Sequence, residues 1–189
     1  GAYDGIFESS PRFGEDGAIG LAAEFNGSTQ YVRVPNSAAL NLTEAISIST
    51  WVKADSWTGD PRIVQKGGTD NQYRLYVNTG NIVFALSGIG SVSASLPAAG
   101  DWVHVAGTYD GAVMRVYIDG EPAASTTATG TIPTSNDALY LAAKHDSAGG
   151  STFFDGGIDD VRIFDYGLNA VEVESLYDLA TSDEDEGEA

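Results

Sequence analysis

Short runs in which apolar and polar side chains alternate with a period of two, each closed by turn residues, constrain this chain more than any other feature. Gln30 to Val34 sets Tyr31 and Arg33 on one face and Val32 and Val34 on the other. The stretch from Ala45 to Val52 does the same with Ile46 and Ile48 against Ser47 and Ser49. Tyr73 to Val77, Asn81 to Leu86, Ser91 to Leu96, Trp102 to Tyr109, Val113 to Ile118, Ala138 to Ala142 and Gly157 to Phe164 continue the series. Such runs, rich in Val, Ile, Thr and aromatics, read as strands half-buried in a sheet. Asp110-Gly111 and Asp119-Gly120 bracket the Val113 run, and Asp-Gly supplies the positive φ angles that reverse a strand. The expectation is an all-β, two-sheet antiparallel sandwich or jelly roll.

One segment departs from this pattern. Asn169 can cap a helix, Glu172 stands at the reciprocal capping-box position, and Val173, Leu176, Tyr177 and Ala180 share a face. A short C-terminal helix over Ala170 to Leu179, packed on the β body, is predicted.

Length and charge narrow the function classes. At 189 residues one domain is expected, covering 1–180, followed by an acidic tail at 181–189. The formal charge is −18, so a nucleic-acid binder working through basic patches is excluded. Five acids crowd the last seven residues, and without them 22 acids still face 9 bases. Only three lysines occur, Lys53, Lys66 and Lys144. Much carboxylate and little lysine is what adaptation to strong salt produces, because salt screens the self-repulsion. A halophilic or marine source is therefore expected. Cysteine is absent, which removes thiolate metal sites and cysteine nucleophiles. No apolar run reaches the roughly 18 residues of a membrane span, and the first twenty residues lack a signal-peptide pattern. The chain reads as a soluble, mature or excised domain.

Five segments in order carry a resemblance. They are Ala22-Ala-Glu-Phe-Asn-Gly27 with Tyr31-Val-Arg-Val-Pro35; Ile46-Ser-Ile-Ser-Thr-Trp-Val-Lys53; Ile63-Val-Gln-Lys-Gly67; Trp102-Val-His-Val-Ala-Gly-Thr-Tyr-Asp-Gly111 with Val116-Tyr-Ile-Asp-Gly120; and Phe154-Asp-Gly-Gly-Ile-Asp-Asp-Val-Arg-Ile-Phe164 leading into the helix. Together they resemble the laminin-G-like branch of the concanavalin A-like lectin/glucanase superfamily. The resemblance implies a jelly roll, commonly a calcium-stabilised, non-catalytic module of secreted or surface proteins that binds carbohydrate or another protein. It also implies that Asn26 and Asp159 form two halves of a calcium site, Asn26 standing where Asp is frequent. Calcium takes six to eight oxygen ligands, which loops at one edge of a sandwich can assemble. The alternative is that Asn26-Gly27 is simply a turn and that Asp159 or Asp160 pairs with Arg162.

Catalysis finds little support. The superfamily's glucanases carry Glu-x-Asp-x-x-Glu on one strand face, and nothing here matches it. A retaining glycosidase needs two carboxyls about 5 Å apart. Asp159 and Asp160 are adjacent, so on a strand their side chains diverge to opposite faces. His104 falls within a strand and reads as a structural histidine. No enzyme is expected.

Recognition of a sugar would combine an aromatic face with polar side chains. Trp57 lies in the polar run from Asp55 to Arg62, where no alternation claims it, while Trp51 and Trp102 read as core. Asp60, Arg62, Lys66, Asp70, Asn71, Tyr73, Arg74, Lys144 and His145 are placed near Trp57 as candidate ligand-binding residues. Asn26 and Asn41 begin formal glycosylation sequons, and Asn41 is the better candidate, since a glycan on Asn26 conflicts with calcium there. The leading expectation is an extracellular or cell-surface module recognising a glycan or a surface protein. The alternative is a structural subunit of a surface fibre or sheath that assembles with identical copies through strand edges and termini. A glycoside hydrolase ranks third.

Overall fold

A computed structural model describes residues 5–68, 72–144 and 152–181. Fourteen strands follow in chain order: β1 (Ile6–Glu8), β2 (Arg12–Asp16), β3 (Leu21–Asn26), β4 (Tyr31–Val34), β5 (Ile46–Lys53), β6 (Arg62–Lys66), β7 (Tyr73–Asn78), β8 (Asn81–Leu86), β9 (Gly90–Ser95), β10 (Val103–Tyr109), β11 (Val113–Ile118), β12 (Glu121–Thr127), β13 (Leu139–Leu141) and β14 (Asp155–Phe164). A 3-10 turn covers Ala38–Leu40, and the helix α1 spans Ala170–Thr181. The first sheet runs β1-β4-β13-β6-β7-β8-β9 and the second β12-β11-β10-β5-β14-β3-β2, every pairing antiparallel. This is the two-sheet jelly roll that the alternation predicts.

Turn chemistry sets the hairpins. Between β11 and β12, Asp119 and Gly120 both take positive φ, 49° and 80°, as the turn that follows the natural twist of a hairpin requires. Thr79 and Gly80 repeat the pattern between β7 and β8, at 45° and 81°. The core lies between the sheets. Ile46, Ile48 and Val52 of β5 face inward with Val105, Val116 and Phe84, all buried. Gly107 of β10 lies against the Phe84 ring so closely that no β-carbon fits there.

The outer face of the second sheet divides in two. Over β5, β10 and β11 it is covered by α1, whose Val173, with Leu168, packs on Ala106 and Tyr117. Tyr177 of α1 stacks on Trp51, with ring centroids 5.4 Å apart. The capping box forms as predicted: Asn169 Oδ1 accepts the Glu172 amide at 3.1 Å, and Glu172 Oε2 accepts the Asn169 amide at 2.8 Å. Toward β14, β3 and β2 no helix of the described residues covers the same face.

The flank between edge strands β1 and β2 is open. Phe7 and Phe13 meet edge to face with centroids 4.4 Å apart, beside an apolar cleft of about 740 Å³ lined also by Phe25, Val32, Leu139 and Ile158.

Candidate functional site

Among the described residues expected around Trp57, Arg62, Lys66 and Tyr73 turn their polar groups to the interior. Trp57 packs partly buried on the core, and its indole N–H donates to the Pro97 carbonyl at 2.9 Å. Arg62 is only 4% exposed: its Nη1 meets Asp60 Oδ1 at 2.6 Å, its Nε donates to Gln65 Oε1 at 2.9 Å, and its guanidinium lies 4.4 Å from the Tyr76 ring centroid. Tyr73 is 1% exposed and donates its hydroxyl to the Leu40 carbonyl at 3.1 Å. Burial pushes that hydroxyl's pKa up, so it stays protonated. Lys66 is fully buried, its ammonium donating to the carbonyls of Ser135 and Asp137 at 3.0 and 2.6 Å, and burial pulls its pKa down. The positions of Arg62 and Lys66 share one cause. β6 is buried along its whole length, so its polar side chains serve the interior. Arg74 and Lys144 are half-buried, and Arg74 also lies over Tyr76. Asp70, Asn71 and His145 fall outside the described residues, as does the acidic tail beyond 181.

The pair expected to hold calcium is also divided. Asn26 stands opposite Asp155 in the β3–β14 register, and Asp159 lies four residues further along, about 13 Å at strand rise. Asn26 Oδ1 already accepts the amides of Ser28, Thr29 and Gln30 at 3.1, 3.0 and 3.2 Å, which is the turn reading. Asp159 accepts the amides of Ile19 at 2.8 Å and Asp160 at 2.7 Å. As placed, the two side chains do not share an ion. Asp160 pairs with Arg162 Nε at 2.8 Å, so the acids of β14 do not converge as a catalytic pair either. Asn41, the preferred sequon, spends its amide on Asn36 Oδ1 and the Ser37 carbonyl, and its oxygen accepts the Ser135 amide. His104 is structural: it is buried, meets Ser49 Oγ at 2.8 Å and packs beside Trp51. Burial pushes its pKa down to about 4.

What the sequence reading missed lies on the uncovered part of the second sheet. Arg12, Glu24, Gly157, Lys53 and Trp102 follow one another across neighbouring strands: Arg12 is paired with Glu24, Glu24 with Gly157, and Gly157 with Lys53, while Trp102 immediately precedes β10. Gly157 has no side chain, and the Trp102 indole occupies the space above it. Beside this row a polar hollow of about 410 Å³ opens, with five carboxylates and two cations on its walls. The side chains of Glu24, Lys53 and Asp155 make no hydrogen bond or ion pair with another described residue. Burial holds the Glu24 carboxyl above the usual carboxylate range, and the charges of Glu15, Asp155 and Asp55 raise it further against the pull of Lys53. Trp102 stands on one face with His104 and Ala106. That face is the outer one, closed by α1 only beyond His104, so Trp102 is half-exposed rather than core. The Gly156-Gly157 pair in β14 and the tryptophan that leads into β10 were the available signal.

A laminin G family model, described as concanavalin A-like lectin/glucanases superfamily, matches residues 26–174. The chain belongs to this family.

As a laminin G-type chain it shares its fold with solved binding domains of clostridial toxins. It superposes on the botulinum neurotoxin serotype G binding domain with a TM-score of 0.75 at 18% identity, covering 95% of this chain and 47% of that one. The binding domain of Paraclostridial Mosquitocidal Protein 1 gives 0.74 at 17% identity, with 93% and 47% covered. The binding domain of botulinum neurotoxin DC in complex with rat synaptotagmin II gives 0.72 at 16%, with 94% and 47% covered. The laminin G chain thus spans about half the length of these structures, and the likeness at such identity is one of fold. A comparison with curated proteins finds no match.

Proposed function

We propose that this laminin G-type domain is a non-catalytic recognition module of a secreted or surface protein, engaging a glycan or surface protein through the Trp102 hollow. The observation that carries this reading is the hollow itself: an aromatic face beside five carboxylates and two cations. Of these only Arg12 and Glu15 pair with each other, at 4.0 Å, while the side chains of Glu24, Lys53 and Asp155 make no hydrogen bond or ion pair with another described residue. Preformed concave sites with a few convergent polar groups are where ligands bind. The kinship in fold with receptor-binding domains supports it. Recognition as proposed does not depend on the calcium that the family resemblance implies. A glycan array probed with the domain and its Trp102→Ala variant at high salt tests the reading. Binding lost in the variant supports it, and retention of all hits in the variant refutes it.

A second reading, subunit of a surface fibre, is favoured by the open flank. There Ile6 and Phe7 of edge strand β1, Phe13 of edge strand β2 and Leu21 at the start of the neighbouring β3 are 43%, 53%, 52% and 69% exposed. Light scattering that grows with concentration and is abolished by Phe13→Lys would establish it.

A further inference from the structure

Resting on the hollow as the recognition site, we propose that its ligand is an amino sugar with a free amine, the ring stacked on Trp102 and the ammonium seated between Glu24 and Asp155. The charge of the walls selects a cation, since five carboxylates stand against two cations and the whole chain is at −18. A metal ion is the simplest cation, but among the described residues no three acid or histidine side chains converge to hold one. The carboxylates of Glu15, Asp55 and Asp155 are near enough to raise the Glu24 pKa, yet too dispersed to chelate. An organic cation can reach several of them at once.

The rest of the hollow selects a sugar over a simple amine. The Trp102 face suits the apolar side of a pyranose ring and also attracts an adjacent ammonium. Lys53, whose side chain makes no hydrogen bond or ion pair with another described residue, lines the same space with Arg12, whose guanidinium spends only part of its donors on Glu15 at 4.0 Å. A bare alkylamine leaves both unanswered. Ring hydroxyls accept from them. A volume of about 410 Å³ admits one or two sugar units.

Titration of the full chain at constant ionic strength, followed by calorimetry and by amide and indole chemical shifts, tests this with glucosamine, glucose, N-acetylglucosamine and Nα-acetyl-lysine methylamide. Saturable binding of glucosamine is expected, with shifts at Trp102 Nε1 and Gly157, weakened at least about tenfold in Glu24→Gln and unchanged in Asp178→Asn on α1. Equal affinity for glucose or the acetylated sugar overturns the ammonium, and equal affinity for the lysine amide overturns the sugar. In those cases the hollow remains a recognition site. If no probe shifts Trp102, the proposal fails, and array hits that vanish with Trp102→Ala would show the broader reading still standing.

Discussion

The indole of Trp102 lies across Gly157, where an added β-carbon would come 2.6 Å from the ring's Cη2 and 3.1 Å from Glu24 Oε2. A side chain at position 157 therefore cannot coexist with the present hollow. Gly157→Val should tip the indole away, abolishing ligand-induced indole shifts. The stability cost is about 1–2 kcal/mol, because the nearest atoms belong to side chains able to move. Indole chemical shifts and a urea titration separate the two effects.

Gly107 makes the opposite case, since its neighbour is the fully buried Phe84. Gly107→Ala should cost about 2–3 kcal/mol by overpacking. The double variant Gly107→Ala, Phe84→Leu should cost less than the two single changes added together, a coupling that denaturant midpoints would reveal.

His104 binds a proton less readily folded than unfolded, because burial pulls its pKa from 6.5 to about 4, with Asp160 acting in favour of the proton and Arg162 against it. Unfolding then takes up protons between those values, so stability is complete above pH 6.5 and falls as the pH drops toward 4, by roughly 3 kcal/mol at most. Asp119, whose pKa burial raises and whose Oδ1 accepts the His104 amide, works the other way at the acid end. His104→Gln should flatten the slope of urea midpoint against pH within that window.

The capping box closes the first turn of α1. Asn169→Ala leaves the Glu172 amide without its partner and should cost about 1 kcal/mol. Because Tyr177 stacks on Trp51, the fraying should appear as a change in tryptophan emission before global unfolding.

Charge repulsion should make stability depend on salt. Raising sodium chloride from about 0.1 M to about 2 M should increase Tm by about 5 °C or more. A chelator added at constant ionic strength should leave Tm unmoved, since Asn26 and Asp159 spend their oxygens on backbone amides. A drop of several degrees would show a structural calcium bound by another set of ligands.

The nine alternating runs all correspond to strands, because a strand with one face in the core must alternate. β1, β2 and β12 were illegible for the converse reason. They are short or edge strands, largely exposed, with no buried face to imprint a pattern, and β2 and β12 are interrupted by bulges. Arg62 and Lys66 of β6 were read as ligand-facing because they look like surface residues until their partners, Gln65 for Arg62 and the distant Ser135 and Asp137 carbonyls for Lys66, are in place. The hollow was hidden because its members come from β2, β3, β5, β14 and the approach to β10. Only the strand order brings them side by side.

Every member of the Arg12 to Trp102 row points away from the hydrophobic interior, while the intervening positions, Ala23, Phe25, Val52, Val103 and Ile158, hold the sandwich together. The scaffold thus keeps its chemistry and its cohesion on opposite sides of one pleated ribbon. Such a chain can change what it grips by rewriting a handful of outward letters, without renegotiating how it folds.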